Sequence, residues 1–203
     1  KSIAHLLVLR GINNYNQAKK FFRPQIDDLH DPFLMKDMLK AVERIELAIK
    51  KEEKILIYGD YDVDGTTSVS LMYSYLSNFS KNIGYYIPDR YDEGYGISLK
   101  GIDYAQINEY SLIISLDCGI RAVKQVEYAS VKDIDFIICD HHTPGVNLPR
   151  AVAILNPKQL ECKYPFKELS GCGVGFKLIQ AFNQNRSLDF NEIGEYLDLV
   201  ATS

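Results

Sequence analysis

No stretch of the sequence approaches the ~18 uninterrupted apolar residues of a membrane span. Cysteine is scarce: Cys118, Cys139, Cys162 and Cys172 include no pair of short Cys-x-x-Cys units, which excludes a structural zinc framework. With no export signal in view, free thiols are expected rather than disulfides. Thirteen Gly and seven Pro are too few for low complexity or disorder. Basic charge is also short, since 23 Lys and Arg stand against 27 Asp and Glu for a formal charge of −4. That excludes a nucleic-acid binder held by net charge alone but leaves room for an enzyme with a local basic groove. The opening Lys1-Ser2-Ile3-Ala4-His5 lacks the basic, apolar and cleavage regions of a signal peptide. A cytoplasmic protein without membrane contact is the expectation.

What the 203 residues do contain is the balance of a globular chain able to bury its own core, 46% hydrophobic and 25% charged. The first ~50 residues read as helical, with Met38, Leu39, Val42, Ile45 and Ile49 forming an amphipathic stripe. The period then changes. Apolar runs at 55–58, 83–87, 112–116 and 134–139 read as strands, separated by helical stretches at 66–79, 99–107 and 120–128. Two more helices are predicted over 174–182 and 193–201. Alternating helices and continuously apolar strands predict an α/β fold, a Rossmann-like, mostly parallel sheet with helices on both faces. Residues 1–50 form a helical N-terminal segment packed on this core, and 51–203 form the main domain. The chain stops at Ser203 straight after an apolar helical run, and the expectation is a domain cut short at its C-terminal end.

Acidic residues sit where the strands end. Asp60, Asp62 and Asp64 follow the first strand, Asp117-Cys118-Gly119 the third, and Asp140-His141-His142 the fourth. In an open parallel sheet the carboxyl ends of the strands form one rim, so these turns converge. Several carboxylates in one crevice need cations to neutralise them. Oxygen ligands with imidazole suit Mn²⁺ or Mg²⁺ better than structural zinc, and two such ions bridged by a carboxylate are a common arrangement for cleaving phosphate esters. Asp62 and Asp64 would each face one ion, Asp117 would bridge them, His141 would ligate, and His142 would aim at the phosphate.

Asp140-His141-His142, with the Asp62-x-Asp64-Gly65 turn and Asp117-Cys118-Gly119, resembles the DHH phosphoesterase superfamily. The segments 58–65, 87–90, 93–96, 156–158 and 169–177, with the helical opening, resemble its RecJ family of single-strand-specific 5′-to-3′ exonucleases. The resemblance covers nearly the whole chain. It implies Asp62, Asp64, Asp117 and His141 as metal ligands, with Asp60 beside them, and two divalent ions, Mn²⁺ or Mg²⁺. His142 would contact the scissile phosphate and Asp140 would orient a histidine. Arg90 would hold the terminal 5′-phosphate, as a guanidinium grips phosphate with paired hydrogen bonds, the alternative being a surface salt bridge. Tyr95, in a Gly-rich loop with Tyr91, is a candidate for contact with the strand. Two departures stand out: Tyr58 replaces a histidine that ligates metal in many relatives, and a further family aspartate would fall past Ser203. A phenol, with its pKa near 10, is a poor ligand at neutral pH, so the expectation is a weaker metal site or compensation by Asp60.

Gly171-x-Gly173-x-Gly175 is read as a tight turn with close helix packing rather than a phosphate cradle, and Thr66, Thr67 and Ser68 as helix caps. The leading functional expectation is a metal-dependent exonuclease on single-stranded DNA, in repair and recombination, with single-strand-binding protein and a helicase as partners. The alternatives are an oligoribonuclease, a cyclic-dinucleotide phosphodiesterase or a pyrophosphatase, or, for this piece, a catalytically incomplete nucleic-acid-binding module.

Overall fold

Five strands pair side by side, every pair parallel: β1 (Lys54–Gly59), β2 (Ile83–Tyr86), β3 (Tyr110–Leu116), β4 (Asp135–Cys139) and β5 (Ala153–Leu155). Their spatial order is β2-β1-β3-β4-β5. The computed structural model describes residues 2–203. They form two units, one ending at Asp31 and the other running from Pro32 to Ser203.

The first unit holds α1 (Ser2–Leu9), α2 (Tyr15–Phe22) and a 3-10 turn at Ile26–Asp28. Asn14 caps α2 by accepting from the Gln17 amide, the usual answer to the unbonded N–H groups of a first turn. Neither helix has a buried residue.

In the second unit, α3 (Met38–Lys50) buries Met38, Ala41, Val42, Ile45 and Ala48. This apolar stripe places α3 in the unit that begins at Pro32. Side chains alternate across each strand. Leu56, Tyr58, Ile113, Phe136, Ile138 and Ile154 join residues of α5 (Leu99–Ile107) and α6 (Val123–Ser130) in one core. On the other face α4 (Val63–Leu76) and α7 (Gly171–Asn185) pack together against the strands, with α3 beside α7. The expected α/β sheet with helices on both faces is the fold observed. Short helices α8 (Asn191–Gly194) and α9 (Leu197–Thr202) replace the single helix predicted over 193–201. All four cysteines are free and buried. No helix among the described residues is long and apolar enough to cross a membrane.

The chain leaves β1 for one edge of the sheet and then returns to build β3 on the other side. Crossovers from β1 and β3 therefore diverge and open a crevice at their carboxyl ends, where ligands bind in such sheets.

Candidate metal centre

Register sets the rim. Gly59, Leu116, Cys139 and Leu155 are the last paired residues of neighbouring strands. The next residue on each is polar and buried: Asp60, Asp117, Asp140 and Asn156. Backbone bonds continue the alignment, from the Asp117 amide to the Cys139 carbonyl (2.8 Å) and from the Asp140 amide to the Leu155 carbonyl (2.9 Å). Asn156 was not read from the sequence as part of this row, because β5 has only three residues. Its side-chain amide donates to the His142 carbonyl (2.9 Å) and so fastens the histidine turn.

Asp140 organises that turn. It accepts from the amides of Ile120, His141 and His142 at 2.9, 2.7 and 3.0 Å, and from His142 Nδ1 at 2.7 Å. Burial alone would raise its pKa, but the His142 ring and the surrounding N–H groups hold it below the ordinary carboxylate range. The same pairing raises His142. With Nδ1 committed to Asp140, Nε2 faces outward, 3.2 Å from the Tyr95 hydroxyl.

Asp117 is placed differently. Its backbone is left-handed, φ 59°, a strained conformation for a residue with a side chain and one found preferentially at functional sites. A Cβ at Gly171 would lie 2.5 Å from the Asp117 Cβ, so only glycine lets the start of α7 pass over it. His141 Nε2 is 3.1 Å from Asp117 Oδ1 and 3.7 Å from Asp64 Oδ2. The first contact is not aligned for hydrogen bonding, and Asp117 Oδ1 and Asp60 Oδ2 remain buried without a donor. Burial, with the nearby charges of Asp64 and Asp62, pushes the Asp117 carboxyl up to about 6, and burial also raises Asp60. The Asp117 carboxylate in turn raises His141.

Asp62 caps α4, accepting from the Gly65 amide (2.9 Å). Asp64, in the first turn of the same helix, accepts from the amides of Gly171 and Cys172, both at 2.7 Å. The glycine-rich segment is thus the first turn of α7, not a separate tight turn, and its free N–H groups hold a site carboxylate. Thr66, Thr67 and Ser68 do not cap; their hydroxyls donate to the carbonyls of Asp62, Val63 and Asp64 one turn back. Tyr58 lies in the core beneath the neighbouring loop, donating to the Gly96 carbonyl and accepting from the Ser98 amide, each at 3.0 Å. It ties down the loop carrying Tyr95 and presents no ligand.

Among the described residues, Asp117, His141 and His142 offer ligand atoms within 4.8 Å of one another. The orphaned buried oxygen of Asp117 itself and that of Asp60 on the same rim, in a set of oxygens and imidazoles, fit a hard divalent cation. Arg90 is exposed, forms no ion pair with a described residue, and lies 5.4 Å over the Tyr61 ring. Glu93, unremarked as a functional residue in the sequence, anchors the loop between them: it accepts from the Tyr86 hydroxyl, the Asp89 amide (2.9 Å each) and the Ser98 hydroxyl (2.5 Å).

The chain is 46% identical over 201 residues to the single-stranded-DNA-specific exonuclease RecJ of Bacillus subtilis, covering 98% of this chain and 26% of that protein. It is 37% identical to Escherichia coli RecJ over 172 residues, 80% of this chain and 30% of the relative. The chain thus spans less than a third of the length of these relatives. A crystal structure of exonuclease RecJ bound to manganese aligns with a TM-score of 0.74 at 28% identity, covering 82% of this chain and 42% of that one. The family model for the N-terminal domain of the DHH family matches residues 54–203, from the first residue of β1 to the end of the chain. With that match spanning the whole acidic rim, the chain belongs to the DHH family.

Proposed function

We propose that this chain is the DHH portion of a metal-dependent exonuclease that cleaves single-stranded DNA from its 5′ end in the cytoplasm, in repair and recombination. Its partners would be the strand itself, single-strand-binding protein and a helicase. The observation that carries the reading is the pair of buried, donorless oxygens on Asp60 and Asp117 at the β1/β3 crevice, the second of them 3.1 Å from His141 Nε2. Asp62, Asp64, Asp117 and His141, with Asp60 beside them, would hold two divalent ions, Mn²⁺ or Mg²⁺. Bound there, the ions would supply Lewis acidity for phosphodiester hydrolysis.

The chain's own groups do the rest. Backbone N–H groups of α7 fix Asp64, and one oxygen of a carboxylate can accept such a bond while another lone pair stays free for metal. Asp140 holds His142 in one orientation, with Nε2 turned toward the position of the scissile phosphate. In its protonated form, favoured by Asp140, the ring donates to a phosphate oxygen. Arg90, with no competing carboxylate, is available for the 5′-phosphate.

The test is cleavage of 5′-labelled single strands with Mn²⁺, with and without chelator. Arg90→Ala should lose roughly tenfold to a hundredfold on 5′-phosphorylated strands, the worth of one charge-assisted contact. The loss on 5′-hydroxyl strands should be far smaller. Equal losses on both would remove Arg90 from the 5′ end, and cleavage that survives chelator would remove the metals.

A further inference from the structure

A cavity of about 460 Å³ is bordered by His142 but not by Asp117 or His141, and none of the functions above uses it. Its walls combine Tyr95, Ile97 and Ile120 with the polar side chains of Arg121, Gln125 and Thr143. Asp140 and His142 reach its edge, while Asp62, Asp64 and Arg90 do not line it. Its size falls within the ~300–1,000 Å³ of ordinary small-ligand pockets.

We propose that this cavity seats one unstacked nucleoside of the strand, the one on the 3′ side of the scissile phosphate. The proposal rests on the reading of the site as a strand-cleaving centre. A ridge of rings supplies the direction. Arg90 lies over Tyr61, Tyr61 meets Tyr95 edge to face at 6.2 Å, and Tyr95 meets His142 in the same way at 6.2 Å. A strand with its 5′ end at Arg90 and its first internal phosphate at His142 delivers its next nucleoside to this cavity.

The lining suits that occupant. Aliphatic walls and the Tyr95 ring take the faces of a base, which every base possesses, so the pocket is indifferent to sequence. Arg121 Nε donates to the Thr143 carbonyl (2.9 Å), which pins the side chain across the wall. Its guanidinium forms no ion pair with any described residue and is available to a base edge or the following phosphate. Gly119, at φ 111°, shapes the turn beneath; a Cβ there would meet Ser115 Oγ at 2.9 Å and Ile97 at 3.0 Å. A base held in a duplex cannot enter such a concavity without leaving its stack, so the cavity also selects for single strands.

The experiment uses 5′-phosphorylated deoxyoligonucleotides carrying 5-iodouracil at the first, second or sixth position. Each is irradiated with the chain in Ca²⁺, an oxygen-seeking ion offered in place of Mn²⁺ to slow hydrolysis. Second-position label should attach to the peptide containing Tyr95, and sixth-position label should not. Ala122→Leu, which fills the cavity, and Arg121→Ala, a surface change that leaves the core intact, should each lower that yield about tenfold. Second-position crosslinks that map outside the cavity, or that both variants leave undiminished, overturn the pocket while cleavage in Mn²⁺ still stands. A full-length protein carrying this chain that neither crosslinks nor cleaves in Mn²⁺ overturns the strand-cleaving reading, and the pocket with it.

Discussion

The β4 end of the rim and the β1/β3 end are built from the same residue type, yet their carboxylates are handled in opposite ways. Asp140 collects three amides and an imidazole, and its pKa falls. Asp117, one strand away and equally buried, keeps an oxygen without a donor, and its pKa rises to about 6. A fully bonded carboxylate is a fastener, since it has little left to offer a ligand. A buried carboxylate left incomplete is costly for the protein alone and becomes favourable once a cation arrives. One neighbourhood is finished by the fold; under the proposed reading the other is finished by a bound cation.

Metal affinity gives the largest separation between them. Replacing a supporting residue of a metal site costs ~10–100-fold in affinity or activity. Asp140→Asn should fall in that range for Mn²⁺ binding and turnover. Asp117→Ala should exceed it, with Asp60→Ala losing less than Asp117→Ala. Calorimetric titration with Mn²⁺ measures this directly, and equal losses at 117 and 140 would break the comparison.

Stability without metal should reverse the ranking. The folded pKa of Asp117 lies above the unfolded value of 3.8, so its favourable contribution is complete below 3.8 and lost as pH rises through about 6. At pH 7 in chelator, Asp117→Asn should therefore stabilise the chain by roughly 1–3 kcal/mol, an advantage that shrinks toward pH 4. Asp140 has the opposite sign: its depressed pKa contributes stability above 3.8 that is lost on acidification. Asp140→Asn should lower stability at pH 7 by about 1–3 kcal/mol, because buried donors lose a charged acceptor. Thermal melts between pH 4 and 7 test both directions.

The smallest effect belongs to Tyr58. Tyr58→Phe removes two hydrogen bonds to the Tyr95 loop, each worth roughly 0.5–1.5 kcal/mol, and should leave Mn²⁺ affinity unchanged. A fall in metal affinity as large as that of Asp60→Ala would make the phenol part of the metal site after all.

Those tests concern residues whose legibility differed sharply. Asp60, Asp117 and Asp140 could be placed on one rim because each follows a continuous aliphatic run, and parallel strands share their carboxyl ends. Helix α5 matched its predicted span because Ser98 caps it through the Gly101 amide and its apolar positions recur regularly. Asn156 escaped because three residues of β5 carry no readable period. The hold of α7 on Asp64 escaped for a different reason: the partners are 107 residues apart, and nothing in a glycine repeat names the carboxylate that its N–H groups will meet. The donorless state of Asp117 was equally hidden, since an unmade bond has no sequence signature. That Tyr58 bonds the loop beside it was hidden as well, because a phenol standing where relatives have a histidine names no partner; the expected weaker metal site or compensation by Asp60 is what the Mn²⁺ titrations measure.

The span from Asp64 to Gly171 also bears on how the molecule reaches its native state. Parallel strands joined by crossover helices cannot pair locally, and topologies dominated by distant contacts fold slowly. Asp64 is fixed only when the start of α7 has docked, and Asp117 takes its place only against that same turn. The candidate metal centre is therefore expected to assemble late, after the β1, β3 and β4 register is complete. A nascent or partly unfolded chain would carry every acidic turn before the turns can share one crevice, so under the proposed reading strand cleavage would wait until folding is done.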